Sequence, residues 1–323
     1  MKITSALQKL GVTNPLIYGC MGLGGGWNQN PVSKDDIRQA NEVIDTALES
    51  GFQLFDHADI YTFGKAEQVF GEVLKSRPEL KKQMVLQSKC GIRFDAGTTP
   101  KRYDFSKEWI SSSVEGILER LNIEHLPILL LHRPDVLMDV EEIAEVFSEL
   151  QKQGKVGQFG VSNMSANQMQ QLQSKMKSPL VANQLEMSLS KLDWLEQSIL
   201  NNVGNAPGHS FTAGTIEYCQ SQDVQIQAWG SMSQGLFSGR NVNDESQAVQ
   251  QTAEKVRRIA AEKETSTEAV ILAWLMKHPA NVMPVVGTTN TDRIKAAAQA
   301  TKIELSRDQW YELYVSARGE ELP

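Results

Sequence analysis

The chain has little cysteine. Cys20, Cys90 and Cys219 are its three cysteines, far apart, with no CxxC pair and no metal-ligand spacing. This argues against a disulfide-stapled fold and suits a reducing cytosol, so a cytoplasmic location is expected. Long hydrophobic runs are also missing. No stretch approaches the length needed to cross a bilayer. The N-terminal stretch has early charge but no continuous apolar core, so no secretory leader is expected. Positive charge is not concentrated either: 39 acidic residues outnumber 32 basic ones, giving a net charge of -7 with no Lys/Arg block. That argues against a nucleic-acid partner and leaves a small molecule as the expected one. Signature motifs for phosphate loops and zinc proteases, GxxxxGK[ST] and HExxH, do not occur, and no metal is expected. The glycines at 22, 24, 25 and 26 approach GxGxxG, but Trp27 stands in the sixth place.

What the chain does have is a regular alternation. Eight short apolar runs read as buried strands: 16–20, 52–55, 84–88, 128–131, 156–161, 181–185, 224–229 and 282–286. Helical patterns separate nearly all of them. Buried strands joined by helical crossovers form parallel sheets covered by helices. Eight units spread over the whole length predict an α/β fold, a closed (β/α)8 TIM barrel forming a single domain over 1–323. Additional helices and a short N-terminal hairpin or cap complete the expected architecture. An open doubly wound sheet is the alternative, but its glycine fingerprint is absent.

In such a barrel the chemistry lies where strands end. Asp56 and Tyr61 follow the second run, Lys89 the third and His132 the fourth. A free phenol titrates near ~10, and a neighbouring ammonium pulls that value down. Asp56 would pair with Lys89, offset its burial and fix its direction. A phenol so placed can give a proton to a carbonyl oxygen as a hydride reaches carbon. His132 could bond the same oxygen and polarise it.

The hydride must come from a cofactor. The last βα unit, VMPVVGTTNTDRI, sets Gly287, Thr288 and Thr289 just before a helix start, which suits an anion. Arg293 could grip a phosphate or stack on adenine. Ser162, Asn163 and Gln184 offer partners for a carboxamide, and Trp229 offers a flat face for a nicotinamide ring. Trp27 and His57 are candidates for the substrate pocket.

Each residue also has a structural reading. Asp56 could cap its loop, and Ser162 with Asn163, or Thr288 with Thr289, could cap helices. Tyr61 and Lys89 could be surface groups and Trp229 rim packing. His132 could be a satisfied core histidine. Glu67 could brace the turn or its neighbouring loops.

The ordered motifs GFQLFDHADIYTFGKAEQVFG (51–71), VLQSK (85–89), LLLHRPD (129–135), GKVGQFGVSN (154–163), NQLE (183–186) and PVVGTTNTDRI (284–294) resemble the aldo-keto reductases. The likeness is to bacterial NADPH-dependent oxidoreductases of that family, which is also related to potassium-channel β subunits. It implies a catalytic tetrad of Asp56, Tyr61, Lys89 and His132. It places nicotinamide contacts on Ser162, Asn163, Gln184 and Trp229, and NADPH preference on Thr288, Thr289 and Arg293. Gly287 stands where many relatives carry a lysine for the 2′-phosphate, and Ala296 and Ala297 stand where many hold adenine with an acid and an amide. The family's long C-terminal substrate loop is short here, which shifts the expected specificity to Trp27 and the loops 90–104 and 200–210. The expected activity is NADPH-dependent reduction of aldehydes or ketones by a monomer. The alternative is a nucleotide-binding regulatory or scaffolding subunit with little turnover.

Overall fold

The computed structural model describes residues 2–201, 203, 208 and 210–323. The strands are β1 (Ile17–Gly19), β2 (Leu54–Asp56), β3 (Val85–Cys90), β4 (Ile92–Arg93), β5 (Arg102–Tyr103), β6 (Leu126–Leu131), β7 (Val156–Ser162), β8 (Leu180–Glu186), β9 (Gln225–Trp229) and β10 (Met283–Val286). Eight of these close into a barrel in the order β1-β10-β9-β8-β7-β6-β3-β2, while β4 and β5 pair separately. All barrel pairings are parallel. The eight apolar runs therefore became the eight barrel strands. Loop 90–104 carries the small antiparallel pair of β4 and β5 at its two ends, with Ile92 opposite Tyr103.

The helices are α1 (Ser5–Lys9), α2 (Lys34–Glu49), α3 (Lys65–Ser76), α4 (Lys107–Leu121), α5 (Val140–Lys152), α6 (Ala166–Gln173), α7 (Asp193–Ile199), α8 (Thr215–Ser221), α9 (Gln247–Glu262), α10 (Thr267–Lys277), α11 (Thr291–Ala298) and α12 (Arg307–Arg318). Local chemistry sets several starts. Ser33 accepts from the Asp36 backbone N–H, and Asp36 reaches back in a reciprocal capping box. Its buried stripe, Ala40, Val43, Ile44 and Ala47, faces the sheet at helical spacing. Ser165, rather than Ser162 or Asn163, caps α6, so a capping role for that pair is ruled out.

The N-terminal hairpin is not formed. Ser5–Lys9 is a helix instead. Ile3, Leu7 and Val12 pack with Ile17, Leu54, Val85 and Met283 as an apolar plug at the end of the barrel away from the site. The backbone N–H groups of Lys2, Thr4 and Ser5 donate to the side chains of Asn281, Gln225 and Asp223 at 2.7, 3.1 and 3.0 Å. Side chains from the barrel thus satisfy the segment's free donors without a second strand.

Candidate active site

The C-terminal ends of β2 and β3 lie side by side, with Asp56 opposite Gln87 in the register. Beyond the strands the ladder continues: the His57 N–H donates to the Gln87 carbonyl at 2.7 Å, and the Asp59 N–H to the Lys89 carbonyl at 3.0 Å. The chain then turns sharply, and Tyr61 begins a short 3-10 turn. Thr62 and Phe63 follow in left-handed conformations, φ 48° and 59°. These are costly for non-glycine residues and common where a site over-determines the backbone. The Thr62 hydroxyl anchors the turn by donating to the Leu23 carbonyl at 3.0 Å. Gly24 explains how the glycine loop comes so close. A Cβ there would lie 2.6 Å from the Lys65 backbone, so only glycine fits. The Lys65 ammonium locks the loop by donating to the Gly26 carbonyl and Asn28 Oδ1 at 2.9 and 3.0 Å.

Lys89 is fully buried and has four acceptors around its ammonium: Asp56 Oδ1 and Oδ2 at 2.8 and 2.7 Å, the His57 carbonyl at 2.7 Å, and the Tyr61 oxygen at 3.0 Å. Burial alone would lower the Lys89 pKa, but Asp56 and Tyr61 more than reverse this and leave it above the ordinary lysine value. Tyr61 moves the other way from the simple expectation. Burial raises its phenol and outweighs the pull of Lys89, so without cofactor its pKa lies above the usual value. The phenol therefore keeps its proton at neutral pH, with Lys89 donating to its oxygen.

His132 follows β6, and its ring meets Tyr61 nearly edge-on, with centroids 6.0 Å apart. Burial, Lys89 and Arg133 hold its pKa well below the ordinary histidine value, so the imidazole is neutral. Its Nδ1 is buried without a partner among the described residues. Asp56, Tyr61, Lys89 and His132 thus converge. His57 does not line the mouth. Its ring is fully buried against Phe70 with centroids 4.6 Å apart, and its contribution to Lys89 is its carbonyl. The reason is alternation: Asp56 faces the barrel interior, so the next side chain faces the helices. Trp27 stays at the mouth, 49% exposed, in edge contact with Phe63, which in turn meets Phe94.

Ser162, Asn163, Gln184 and Trp229 are joined by hydrogen bonds or strand pairing. The Trp229 indole N–H donates to Asn163 Oδ1 at 3.0 Å, the Asn163 amide donates to Ser162 Oγ at 2.7 Å, and Ser162 Oγ donates to the Gln184 carbonyl at 2.8 Å. Both N–H groups of Gln184 point inward, to Asp56 Oδ1 and Gln227 Oε1 at 3.1 and 2.9 Å. Its oxygen is left as an acceptor, which fits the amide hydrogens of a carboxamide. The Arg133 guanidinium lies over the Trp229 ring, 5.3 Å from its centroid.

At the other end, Gly287, Thr288 and Arg293 line a cavity of about 260 Å³ with Gln234, Ser238 and Glu268. The Tyr18 hydroxyl donates to the Thr288 carbonyl at 2.8 Å, pinning the loop. Asn290 caps α11 by accepting from the Arg293 N–H at 3.0 Å. Thr289 lies beside this cavity, against the first turn of α2 with Asp35 and Asp36. The Thr288 hydroxyl and the Arg293 guanidinium at this cavity suit a phosphate. Glu268 brings a carboxylate to this cavity from α10, while Ala296 and Ala297 occupy the positions where many relatives carry an acid and an amide.

Several residues here were not singled out in the sequence. Gln87 and Gln227 connect the site across the barrel. Their signal was a polar glutamine inside a short buried strand, in VLQSK and QIQAW. Glu67, read in the sequence as a brace for the turn or its neighbouring loops, is fully buried, accepting from Ser88 Oγ at 2.5 Å and from Arg120 Nε at 2.8 Å. Arg120 is brought there by the close crossing of α3 and α4. A Cβ on Gly71 would fall 1.9 Å from the Arg120 carbonyl.

A parallel eight-stranded barrel with these groups at its strand ends defines a class, and the comparisons name it. Residues 15–315 match the Aldo/keto reductase family, to which the chain belongs. It is 35% identical to a 6-dehydroglucose reductase of Agrobacterium fabrum, covering 95% of each chain. It is 34% identical to oxidoreductase YdhF of Escherichia coli, over 92% of this chain and 91% of the other. A glycerol dehydrogenase from Gluconobacter oxydans shares the fold with a TM-score of 0.77 at 19% identity, over 96% of this chain and 93% of that one. The protein is an NADPH-dependent oxidoreductase acting on carbonyl compounds. No helix among the described residues is long and apolar enough to cross a membrane.

Proposed function

We propose that Tyr61 is the general acid of this carbonyl reduction and that the substrate is a sugar-derived aldehyde or ketone. The observation that carries the acid assignment is the Lys89 ammonium, bonded to the Tyr61 oxygen at 3.0 Å while clamped by both oxygens of Asp56. Because Lys89 donates to the phenol oxygen, the phenol hydrogen is left to be donated elsewhere. NADPH supplies the hydride. Tyr61 gives its proton to the substrate oxygen, and the phenolate so formed is stabilised by the adjacent ammonium. His132, neutral and beside Tyr61, donates a hydrogen bond to the same oxygen and orients it. Asp56 fixes Lys89 rather than touching substrate.

Gln184 holds the carboxamide end through its free oxygen, Ser162 and Asn163 flank it, and Trp229 bounds the ring. Thr288, Thr289 and Arg293 hold the phosphate end, with Gly287 leaving room for it. The sugar assignment rests on the Agrobacterium relative and on Trp27, Phe63 and Phe94 at the mouth, whose rings can stack on the C–H face of a sugar. The reading places a single-domain monomer in the cytoplasm, with all three cysteines free and buried. Of the loop 200–210, also considered for specificity, residues 202, 204–207 and 209 lie outside the described residues.

The test follows NADPH absorbance with 6-dehydroglucose and a panel of simple aldehydes and ketones, for the natural protein and Tyr61→Phe, with NADPH affinity read from tryptophan fluorescence. Turnover by the natural protein that is lost in Tyr61→Phe at unchanged affinity is expected. Full turnover in Tyr61→Phe would remove the tyrosine from the mechanism. Equal rates on every carbonyl would remove the sugar assignment.

A further inference from the structure

The barrel interior beneath the reacting groups is polar. Gln87 on β3 and Gln227 on β9 are fully buried, and Gln184 on β8 is nearly so. Gln87 and Gln227 form a reciprocal amide pair, each Nε2 donating to the other's Oε1 at 2.8 Å. Gln184 donates to the same Gln227 oxygen at 2.9 Å. The other N–H groups of Gln87 and Gln184 both go to Asp56 Oδ1, at 2.6 and 3.1 Å.

A cluster that served packing alone would need only to satisfy its own polar atoms. This one does not close on itself, because two of its donors end on Asp56. The reciprocal pair also decides which end of Gln87 meets the carboxylate. Gln227 holds the Gln87 oxygen, so the nitrogen faces Asp56. Among the described residues, Gln227 makes its side-chain hydrogen bonds to Gln87 and Gln184 rather than to Asp56, Lys89, Tyr61 or His132, yet it accepts from both glutamines that do bond Asp56. We propose that Gln227 and Gln87 are positioning residues for proton transfer, orienting the Asp56 carboxylate so that Lys89 stays against the Tyr61 oxygen. The proposal rests on Tyr61 as proton donor.

The consequence follows from counting. Lys89 has three N–H groups for four acceptors, and its bond to Tyr61 is the longest of the four. An Asp56 that lost its amide donors would draw the ammonium more strongly and leave the phenol less support. Tyr61 would then become a weaker acid. The titratable groups facing this cluster are Asp56 from β2, Lys89 from β3, His132 after β6 and Cys20 after β1. Glu67, paired with Arg120, faces Lys89 from α3, and Arg133 faces His132. All are retained in the test.

The variants are Gln227→Met, Gln87→Met and the double replacement, which keep side-chain length without the amide. Two quantities are measured. One is the pH dependence of alcohol oxidation by the NADP-loaded enzyme. The other is the phenolate absorbance of Tyr61 in the cofactor-free protein, taken by difference from Tyr61→Phe. Both midpoints are expected to rise by about one pH unit, with about tenfold slower oxidation at neutral pH. Folded variants with lower thermal stability but unmoved midpoints would overturn the proposal. So would failure of all three to fold, since the amides would then hold the barrel rather than the phenol. Should Tyr61→Phe retain turnover, the proton-donor reading fails, while the absorbance titration still reports whether the amides tune Tyr61.

Discussion

The Lys89 ammonium lies 3.0 Å from the Tyr61 hydroxyl oxygen and 4.8 Å from the centroid of its ring. A cation so placed makes the phenol oxygen the end toward which negative charge can develop. Replacing Lys89 with Met removes that support and leaves Asp56 buried opposite an uncharged chain. We expect kcat for carbonyl reduction to fall by about 10²–10⁴, the usual range for a general acid and its activation, while NADPH binding changes little. Single-turnover kinetics would separate this loss in the chemical step from slower product release. A kcat within a factor of three of the natural protein would exclude Lys89 from the proton transfer.

His132 is held neutral by burial and by the nearby charges of Lys89 and Arg133. Its protonation therefore falls well below the ordinary histidine range. The rate of reduction is expected to stay level from about pH 6 to 8, and to fall only on the alkaline side as Tyr61 loses its proton. His132→Gln keeps a donor and is expected to retain a measurable part of the activity with the same level region. A rate that climbs or falls through an inflection near pH 6.5 in the natural protein, and loses it in His132→Gln, would show that the imidazole titrates.

His57 makes the fold sensitive to acid. Burial first, and Lys89 second, lower its pKa from 6.5 to about 3. Both ring nitrogens are buried without partners among the described residues. Above pH 6.5 neither the folded nor the unfolded chain protonates this ring. Below it the unfolded chain takes up a proton that the folded one refuses, so stability is lost as pH falls from 6.5 towards about 3. The loss is on the order of a few kcal/mol at the lower end. His57→Leu removes the titrating group and the unpartnered nitrogens together, and the backbone carbonyl that binds Lys89 remains. The variant is expected to unfold at higher temperature than the natural protein at pH 5, with a smaller difference at pH 8. A difference independent of pH would show that His57 does not carry this effect.

The barrel was legible because its strands are buried on both faces and read as short apolar runs between helical patterns. Asp56, Lys89 and His132 were legible because each directly ends such a run, and Tyr61 because it opens the turn that follows. The hidden part has a physical cause in each case. Gln87 and Gln227 stand on strands far apart in sequence, and only closure of the barrel brings their amides together. His57 follows Asp56 directly, but one step along a strand turns a side chain to the other face. The first residues carry too few apolar positions to tell one helical turn from a strand, and the open end of the barrel decides between them. The acidity of Tyr61 depends on a balance between desolvation and Lys89, which burial settles and sequence does not.

Cofactor preference turns on Gly287. Its backbone is not in the left-handed region, and a Cβ added there would meet only the Gly19 carbonyl oxygen, at 3.8 Å. Nothing steric demands glycine. The position opens on the cavity that holds Thr288, Arg293 and Glu268. The Arg293 side chain has no ion-pair partner among the described residues, and one guanidinium and one carboxylate line the cavity proposed for the 2′-phosphate. Glu268 opposes an added phosphate, and Arg293 favours it. A lysine at 287 would add a second cation and tip this balance. Gly287→Lys is expected to tighten NADPH about tenfold relative to NADH, the scale of one charge-assisted contact. The gain should shrink as salt rises, because the site is open to solvent. Fluorescence titration with both nucleotides at low and high ionic strength measures this without turnover. Glu268→Gln should shift the ratio in the same direction by a smaller factor. An unchanged ratio in both variants would place the 2′-phosphate outside this cavity and remove Thr288 and Arg293 from its recognition.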